Sequence, residues 1–351
     1  MVHSLAAGAL RLLDPEVGHR LALAGLRAGL GPRARADRFP RLRTRIAGLD
    51  LPNPIGLAAG FDKDCAAADA LLACGFGFVE CGTVTPLPQA GNPKPRLFRL
   101  SEDRSVINRM GFNNEGVEAF ADRLAARSGR SGVVGANVGA NKDSADRVAD
   151  YVLGMGRVWK HACYITANIS SPNTPGLRGL QERGPLEDLL GRLDEARAPL
   201  TAVHGRRPVF LKVAPDLDEE AVGAITELAL KWRIDALIVS NTTIQRPAHL
   251  TSDDREETGG LSGQALFQIA THALRLFAQA ADGRIPLIGA GGVYSGLAAF
   301  AKIKAGASAV QLYSALVYEG PGLVARILDE LDGFLAVEGF DQVAEAVGRG
   351  C

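Results

Sequence analysis

Side chains able to hold a charge, match an amide or move a proton fall at regular places in this chain, each at the end of a short apolar run. Asp62-Lys63 follows the run 55–59, Thr83 follows 77–81, and Asn137 lies near the end of 133–138. Asn168-Ile169-Ser170-Ser171 closes 164–169, Lys212 lies in 209–213, and Ser240-Asn241-Thr242 closes 236–240. Gly291-Gly292 follows 286–290 and Tyr313-Ser314 follows 309–312. Asparagine presents donor and acceptor on one amide, and a lysine ammonium offsets an anion. Only eight of the 39 basic residues are lysines, so Lys63 and Lys212 stand out against the plainer reading of surface ion pairs. Gly289-Ala290-Gly291-Gly292 leaves backbone N–H groups free to point at phosphate oxygens, although glycines also make ordinary turns. No G-x-G-x-x-G fingerprint follows a first strand, which argues against a Rossmann-type NAD site.

Such residues need elements that aim them at one place. Between most of the apolar runs lie stretches with helical spacing, such as 219–231 and 264–281. Near-continuous apolar strands alternating with helices indicate a parallel sheet covered on both faces. Eight such units over the length of this chain fit a (β/α)₈ barrel, whose active site gathers on the loops after the strand ends. Two short helices are expected before it. Leu5, Ala9, Leu12 and Leu13 share a face of the first. Asp14-Pro15 caps the second, over 15–30, where Val17, Leu21, Ala24 and Ala28 form a stripe widened by Leu23, Leu26 and Leu30. Gly31-Pro32 ends it, and an arginine-rich connector runs to about Arg45. The expected division is therefore 1–40, helical, and 41–351, the barrel.

Composition excludes several classes. Hydrophobic residues are 47% and charged residues 22% of the 351, ordinary for a globular chain. Lys+Arg and Asp+Glu are 39 each, so no basic excess points to nucleic acid. The balance hides an asymmetry: residues 1–45 hold nine arginines and three acids, leaving that segment at +6 and the rest at −6. Two readings fit this charge, an apolar basic segment on an anionic membrane surface or a solvated helical hairpin packed on the barrel. No run approaches the ~20 apolar residues of a membrane span, and the start has no signal-peptide pattern. Cys65, Cys74, Cys81, Cys163 and Cys351 include no C-x-x-C pair, so reduced thiols in a cytoplasmic setting are expected, without disulfides or a metal site.

GLAAGFDKD at 56–64, NRMGFNN at 108–114, NISSPNTPGLR at 168–178, NTT at 241–243 and TGGLSG at 258–263 closely resemble the dihydroorotate dehydrogenase family. The likeness runs from DPE at 14–16 to the last strand. It implies a flavin enzyme on a (β/α)₈ barrel that oxidises dihydroorotate to orotate in pyrimidine biosynthesis. A serine at the base position, Ser171, and an N-terminal helical extension mark the membrane-associated class that reduces quinone. The resemblance assigns FMN to Ala59, Gly60, Phe61, Asp62, Lys63, Thr83, Asn137, Asn168, Lys212, Ser240, Gly263, Gly292, Tyr313 and Ser314. It assigns the substrate to Lys63, Asn108, Arg109, Met110, Gly111, Phe112, Asn168, Asn173, Asn241 and Thr242, with the 108–112 loop as cover.

By the same resemblance, asparagine amides match the cyclic diamide, Lys63 offsets its carboxylate, and Lys212 meets the reduced flavin's negative edge. Ser171 takes a proton from the carbon beside a carbonyl while hydride leaves the adjacent carbon. A serine hydroxyl is a poor base unaided, and Thr174 with a water beside Phe112 is the implied relay. The implied partners are dihydroorotate, a membrane quinone and an anionic membrane, with no nucleic acid and a monomeric chain. The implied location is peripheral, on the cytoplasmic face of a bacterial inner membrane. Two departures stand out. Gly139-Ala140-Asn141-Lys142 replaces a common G-K-N-K, which suggests a missing flavin-side cation, and Ser240 stands where threonine is common. The alternatives are a soluble fumarate- or NAD-linked relative, which would carry cysteine at the base position, and a silent membrane-attached phosphate-binding barrel. Cys163 falls eight residues before Ser171, too early to be that cysteine.

Overall fold

The computed structural model describes residues 2–350, with side chains from residue 6 onward; Met1, Cys351 and the side chains of residues 2–5, including the Leu5 expected on the helical stripe, lie outside the described residues. Helix α1 spans Val2–Leu10 and α2 spans Pro15–Arg27. Asp14 caps α2 by accepting from the backbone N–H of Glu16 and Val17, both at 3.0 Å. The helix stops short of the expected residue 30 because Gly29 turns into the left-handed region at φ 79°. Leu12 and Leu13 lie beyond α1, in the turn. The two helices meet closely at Gly18, where a Cβ would sit 2.7 Å from the Leu10 carbonyl oxygen.

The barrel strands are β1 (Ile55–Leu57), β2 (Phe78–Val84), β3 (Val133–Val138), β4 (Tyr164–Asn168), β5 (Val209–Val213), β6 (Ala236–Val239), β7 (Leu287–Ala290) and β8 (Ala307–Leu312). All pair in parallel in sequence order, and β8 closes on β1 through Val310 opposite Ile55. Strand alternation divides the core in two. Outward residues such as Val79, Val134, Ile165, Leu211 and Leu287 pack under the helices. Inward residues Phe78, Tyr164, Phe210, Ile238 and Ile288 fill the barrel floor. Truncating one of these aromatics, for instance Phe210 stacked on Tyr164 at 4.5 Å, would cost about 3–5 kcal/mol.

The next inward positions on four of these five strands are polar (Glu80, Thr166, Lys212 and Ser240, with Ala290 the exception), so a polar layer rests on an apolar floor. Glu80, one step above Phe78, is fully buried and accepts from Tyr164, Thr166, Asn137 and Gln311. Two elements were not legible in the sequence. A hairpin of Thr44–Ile46 and Leu49–Leu51 replaces the end of the expected connector and plugs the floor with Ile46 and Leu51. An antiparallel sheet of Leu97–Leu100, Ser105–Asn108 and Gly260–Gly263 places Asn108 and Gly263 at its two ends.

Candidate active site

Above Glu80 a directed hydrogen-bond chain climbs to the barrel mouth. The Asn137 amide donates to Glu80 at 2.7 Å, so its oxygen must face Thr83, whose hydroxyl donates to it at 2.6 Å. Thr83 then accepts from the Asn168 amide at 2.9 Å. That leaves the Asn168 oxygen to accept from Ser170 Oγ at 2.8 Å and the Asn241 amide at 3.3 Å. A carboxylate accepts only, so it sets the orientation of every amide above it. At the top, Ser171 Oγ is buried and accepts from Asn173 N–H at 3.2 Å, while the Asn173 amide donates to Asn108 at 3.1 Å.

Two lysines carry the positive charge. Burial pushes the Lys212 ammonium below its ordinary range, against the pull of Glu80, and among the described residues its Nζ has no hydrogen-bond partner. Lys63 Nζ donates to Asn113 at 2.6 Å, and burial, with the nearby Arg96 charge, brings its pKa down to about 8. Phe112 holds the left-handed conformation at φ 53° beside Gly111, whose Cβ would sit 2.8 Å from the Asn92 amide. That turn is anchored by Gln89 and Asn92, which donate to Gly111 and Arg109 carbonyls at 2.9 and 3.0 Å.

A second wall is built from positive-φ glycines. A Cβ on Gly263 would sit 2.5 Å from Ser105 Cα, and one on Gly292 2.4 Å from Phe267 Cα. Ser314 Oγ lies beside them, donating to Ser262 Oγ at 2.8 Å. Bare backbone, hydroxyls and the free Lys212 amine together suit a planar, phosphorylated cofactor. Among the described residues no group of three or more His, Cys, Asp or Glu could hold a metal ion.

The opposite end is apolar. Alanines and leucines of α1 and α2 line it, with an ion pair beyond: the half-buried Glu16 accepts two bonds from the buried Arg96, at 2.8 and 3.0 Å. The Arg96 guanidinium holds the Glu16 carboxyl below the usual range. His19 Nε2 donates to the Phe61 carbonyl at 2.8 Å, and its ring meets Phe61 edge-on at 5.0 Å. Burial pushes its pKa down to about 4, so the ring is neutral with its proton on Nε2. Polar mouth, glycine wall and apolar end belong to one cavity of about 800 Å³.

All of the sequence-assigned site residues line that cavity except Asn137, Arg109 and the relay residue Thr174. Asn137 lies a layer below, its amide spent between Glu80 and Thr83. The Arg109 guanidinium turns to Glu257 at 2.6 Å and over the Phe98 ring at 4.6 Å and does not line the cavity. Asp62 reaches the cavity but spends its carboxylate on the Ala66 and Ala67 N–H groups at 2.8 and 2.7 Å. Ala140 is fully buried and does not line the cavity, so its methyl leaves no gap in the wall. Glu16, His19 and Arg96 were missed: a pair 80 residues apart leaves no local signal. The lone His19 in an arginine-rich helix was the one visible cue.

The sequence pattern of a family described as Dihydroorotate dehydrogenase matches residues 41–335. A Parvibaculum lavamentivorans protein named Dihydroorotate dehydrogenase (quinone) is 53% identical over 344 residues, covering 98% of this chain and 97% of that one. A Rhodopseudomonas palustris protein of the same name is 54% identical over 348 residues, covering 98% and 95%. Among solved structures, DHODH from Eimeria tenella in complex with ferulenol superposes with a TM-score of 0.92 at 40% identity, covering 96% of this chain and 95% of that one.

Proposed function

Because the chain belongs to the dihydroorotate dehydrogenase family, we propose that its large cavity houses both halves of the quinone-dependent reaction. The protein oxidises dihydroorotate to orotate in pyrimidine biosynthesis, with a quinone as electron acceptor. The observation that carries the site assignment is continuity. One cavity is lined by Lys63, Ser171 and Asn241 in its polar part and by apolar residues of α1 and α2 in the other.

The cofactor in this reading is a flavin, specifically flavin mononucleotide, which when bound supplies the two-electron acceptor between substrate and quinone. Gly263, Gly292 and Ser314 hold its phosphate, and Ala59, Gly60 and Tyr313 flank its ring. Thr83, Asn168, Ser240 and Lys212 face its polar edge, where an unpaired ammonium stabilises negative charge. Lys63 offsets the substrate carboxylate, while Asn108, Asn173, Asn241 and Thr242 match its amide edges. Phe112, with Met110 and Gly111, covers the site and excludes water. Ser171 Oγ removes the proton. Thr174 Oγ1, buried without a partner among the described residues, is the group that relays it.

Residues 1–40 form the quinone entrance in this reading and rest on an anionic membrane as a peripheral contact, with the chain acting as a monomer. No described helix is long and apolar enough to cross a membrane. Leu12 and Leu30 are 88% and 72% exposed on this segment, and Leu13 and Leu21 are exposed beside the arginines. Orotate formation matched one for one by reduction of a long-tailed quinone tests the function. Equal turnover with fumarate or NAD would contradict it. Denaturation should release FMN; release of FAD would refute the cofactor assignment.

A further inference from the structure

We propose that Arg178 is a positioning residue for dihydroorotate oxidation, fixing the turn that carries Ser171 against the turn that carries Asn241 and Thr242. The proposal rests on the reading of Ser171 as base and of those two residues as substrate holders. Arg178 lies on the 3₁₀ turn Leu177–Gln181, behind the cavity wall rather than in it. Its guanidinium makes three bonds in three directions. Nε donates to the Ser170 carbonyl at 3.1 Å, Nη2 to the Thr242 carbonyl at 2.9 Å, and Nη1 to the Asp216 carboxylate at 2.8 Å.

The two carbonyls are the ones that matter. Ser170 C=O belongs to the peptide that enters Ser171, and Thr242 C=O follows Asn241 directly. Among the described residues neither carbonyl has another donor, so Arg178 ties these two strand ends from behind, while the Asn241 amide, donating to Ser170 Oγ at 3.0 Å, ties them from the cavity side. Asp216 extends the clamp. It accepts from Thr243 Oγ1, from Ile244 N–H at 3.2 Å and from Gln245 at 3.3 Å. The ends of β4, β5 and β6 are therefore tied by one planar fork, a geometry that the single ammonium of lysine cannot reproduce. Two groups on different strands must meet one small ring at once, and the clamp sets their separation.

The test uses holoenzyme carrying Arg178→Gln, Arg178→Lys or Asp216→Asn, with Ser171→Ala measured alongside. Flavin content and thermal midpoint establish that each variant is folded and loaded. Single-turnover flavin bleaching over a range of dihydroorotate gives a limiting rate and a half-saturation. Reoxidation of the reduced enzyme by quinone gives the other half-reaction, and calorimetry with orotate gives product affinity. Misplacing a catalytic group by about 1 Å costs about 100-fold, so Arg178→Gln should lose about that in limiting rate, with weaker orotate binding. Arg178→Lys should fall between, and Arg178→Gln combined with Asp216→Asn should lose less than the product of the single effects. The quinone step should be unchanged. Loaded Arg178→Gln with a limiting rate within about twofold of the parent, or with both half-reactions slowed alike, overturns the proposal. If Ser171→Ala bleaches at the parent rate, the base reading fails by itself. Orotate affinity still reports the Thr242 side, and an unchanged affinity in Arg178→Gln overturns the clamp.

Discussion

Replacing Lys63 with methionine removes one charge from the cavity while keeping the side chain out to its last carbon position. Lys63 Nζ donates to Asn113 Oδ1 at 2.6 Å and lines the same cavity as Ser171 and Asn173. A hydrogen bond to a charged group contributes about 1.5–3 kcal/mol. Its loss should raise half-saturating dihydroorotate by about 10- to 150-fold at neutral pH. The pH dependence is the sharper part. Burial and the Arg96 charge bring the Lys63 pKa from 10.5 down to about 8, with Glu16 and Asp64 opposing. Below that value the free enzyme already holds the ammonium that the carboxylate needs. Above it, binding must first take a proton from solvent, so half-saturation should climb about tenfold per pH unit. The methionine variant should show no such climb. Anaerobic stopped-flow reduction, run against dihydroorotate concentration from about pH 6.5 to 9.5, measures both effects. Parallel profiles in parent and variant, or a shift below about twofold at neutral pH, would refute the assignment of Lys63.

Ser171→Ala should keep its flavin and slow single-turnover reduction by about 10²–10⁴-fold, while Ser171→Cys retains part of the rate. Leu12→Glu with Leu30→Glu alters two side chains that are 88% and 72% exposed, so the thermal midpoint should hold. Sedimentation with anionic vesicles and turnover of a long-tailed quinone should both fall, and turnover of a water-soluble quinone should not. Lys302 is fully buried, donates to Thr271 Oγ1 at 3.1 Å, and is pushed by burial down to about 7. Above about pH 7 the native chain has shed that proton while the unfolded chain keeps it, so stability rises with pH by up to about 1.4 kcal/mol per unit. Denaturant unfolding at several pH values should show this rise in the parent and lack it in Lys302→Met.

The barrel was legible because its strands are buried on both faces. Apolar runs at 133–138 and 209–213 coincide with β3 and β5, and the helical stretch 219–231 coincides with the helix Glu219–Lys231. The three-residue strands of the hairpin under the barrel are too short for a period to show, and a turn through Ala47 at φ 52° gives no composition signal. The antiparallel sheet at the mouth pairs Ser105–Asn108 with Gly260–Gly263, more than 150 residues away, which no local pattern encodes. Most of the residues that close a strand or sit in a long motif line the one cavity. A motif gives a residue's place in the chain but not its rotamer, and at Arg109 the guanidinium turns outward to Glu257. Arg178 and Asp216 escaped notice because their work is done on backbone carbonyls behind the wall.

In the proposed function one cavity joins dihydroorotate oxidation at its polar end to quinone reduction at its apolar end. The most direct test of that function is a spectrum of the purified protein taken without oxygen, first with dihydroorotate and then with a long-tailed quinone. The flavin band should bleach with one equivalent of dihydroorotate and return with one equivalent of quinone. Ser171→Ala should block only the first change, and Leu12→Glu with Leu30→Glu should slow only the second. A protein with no flavin band, or one whose band dihydroorotate leaves untouched, would contradict the proposed function.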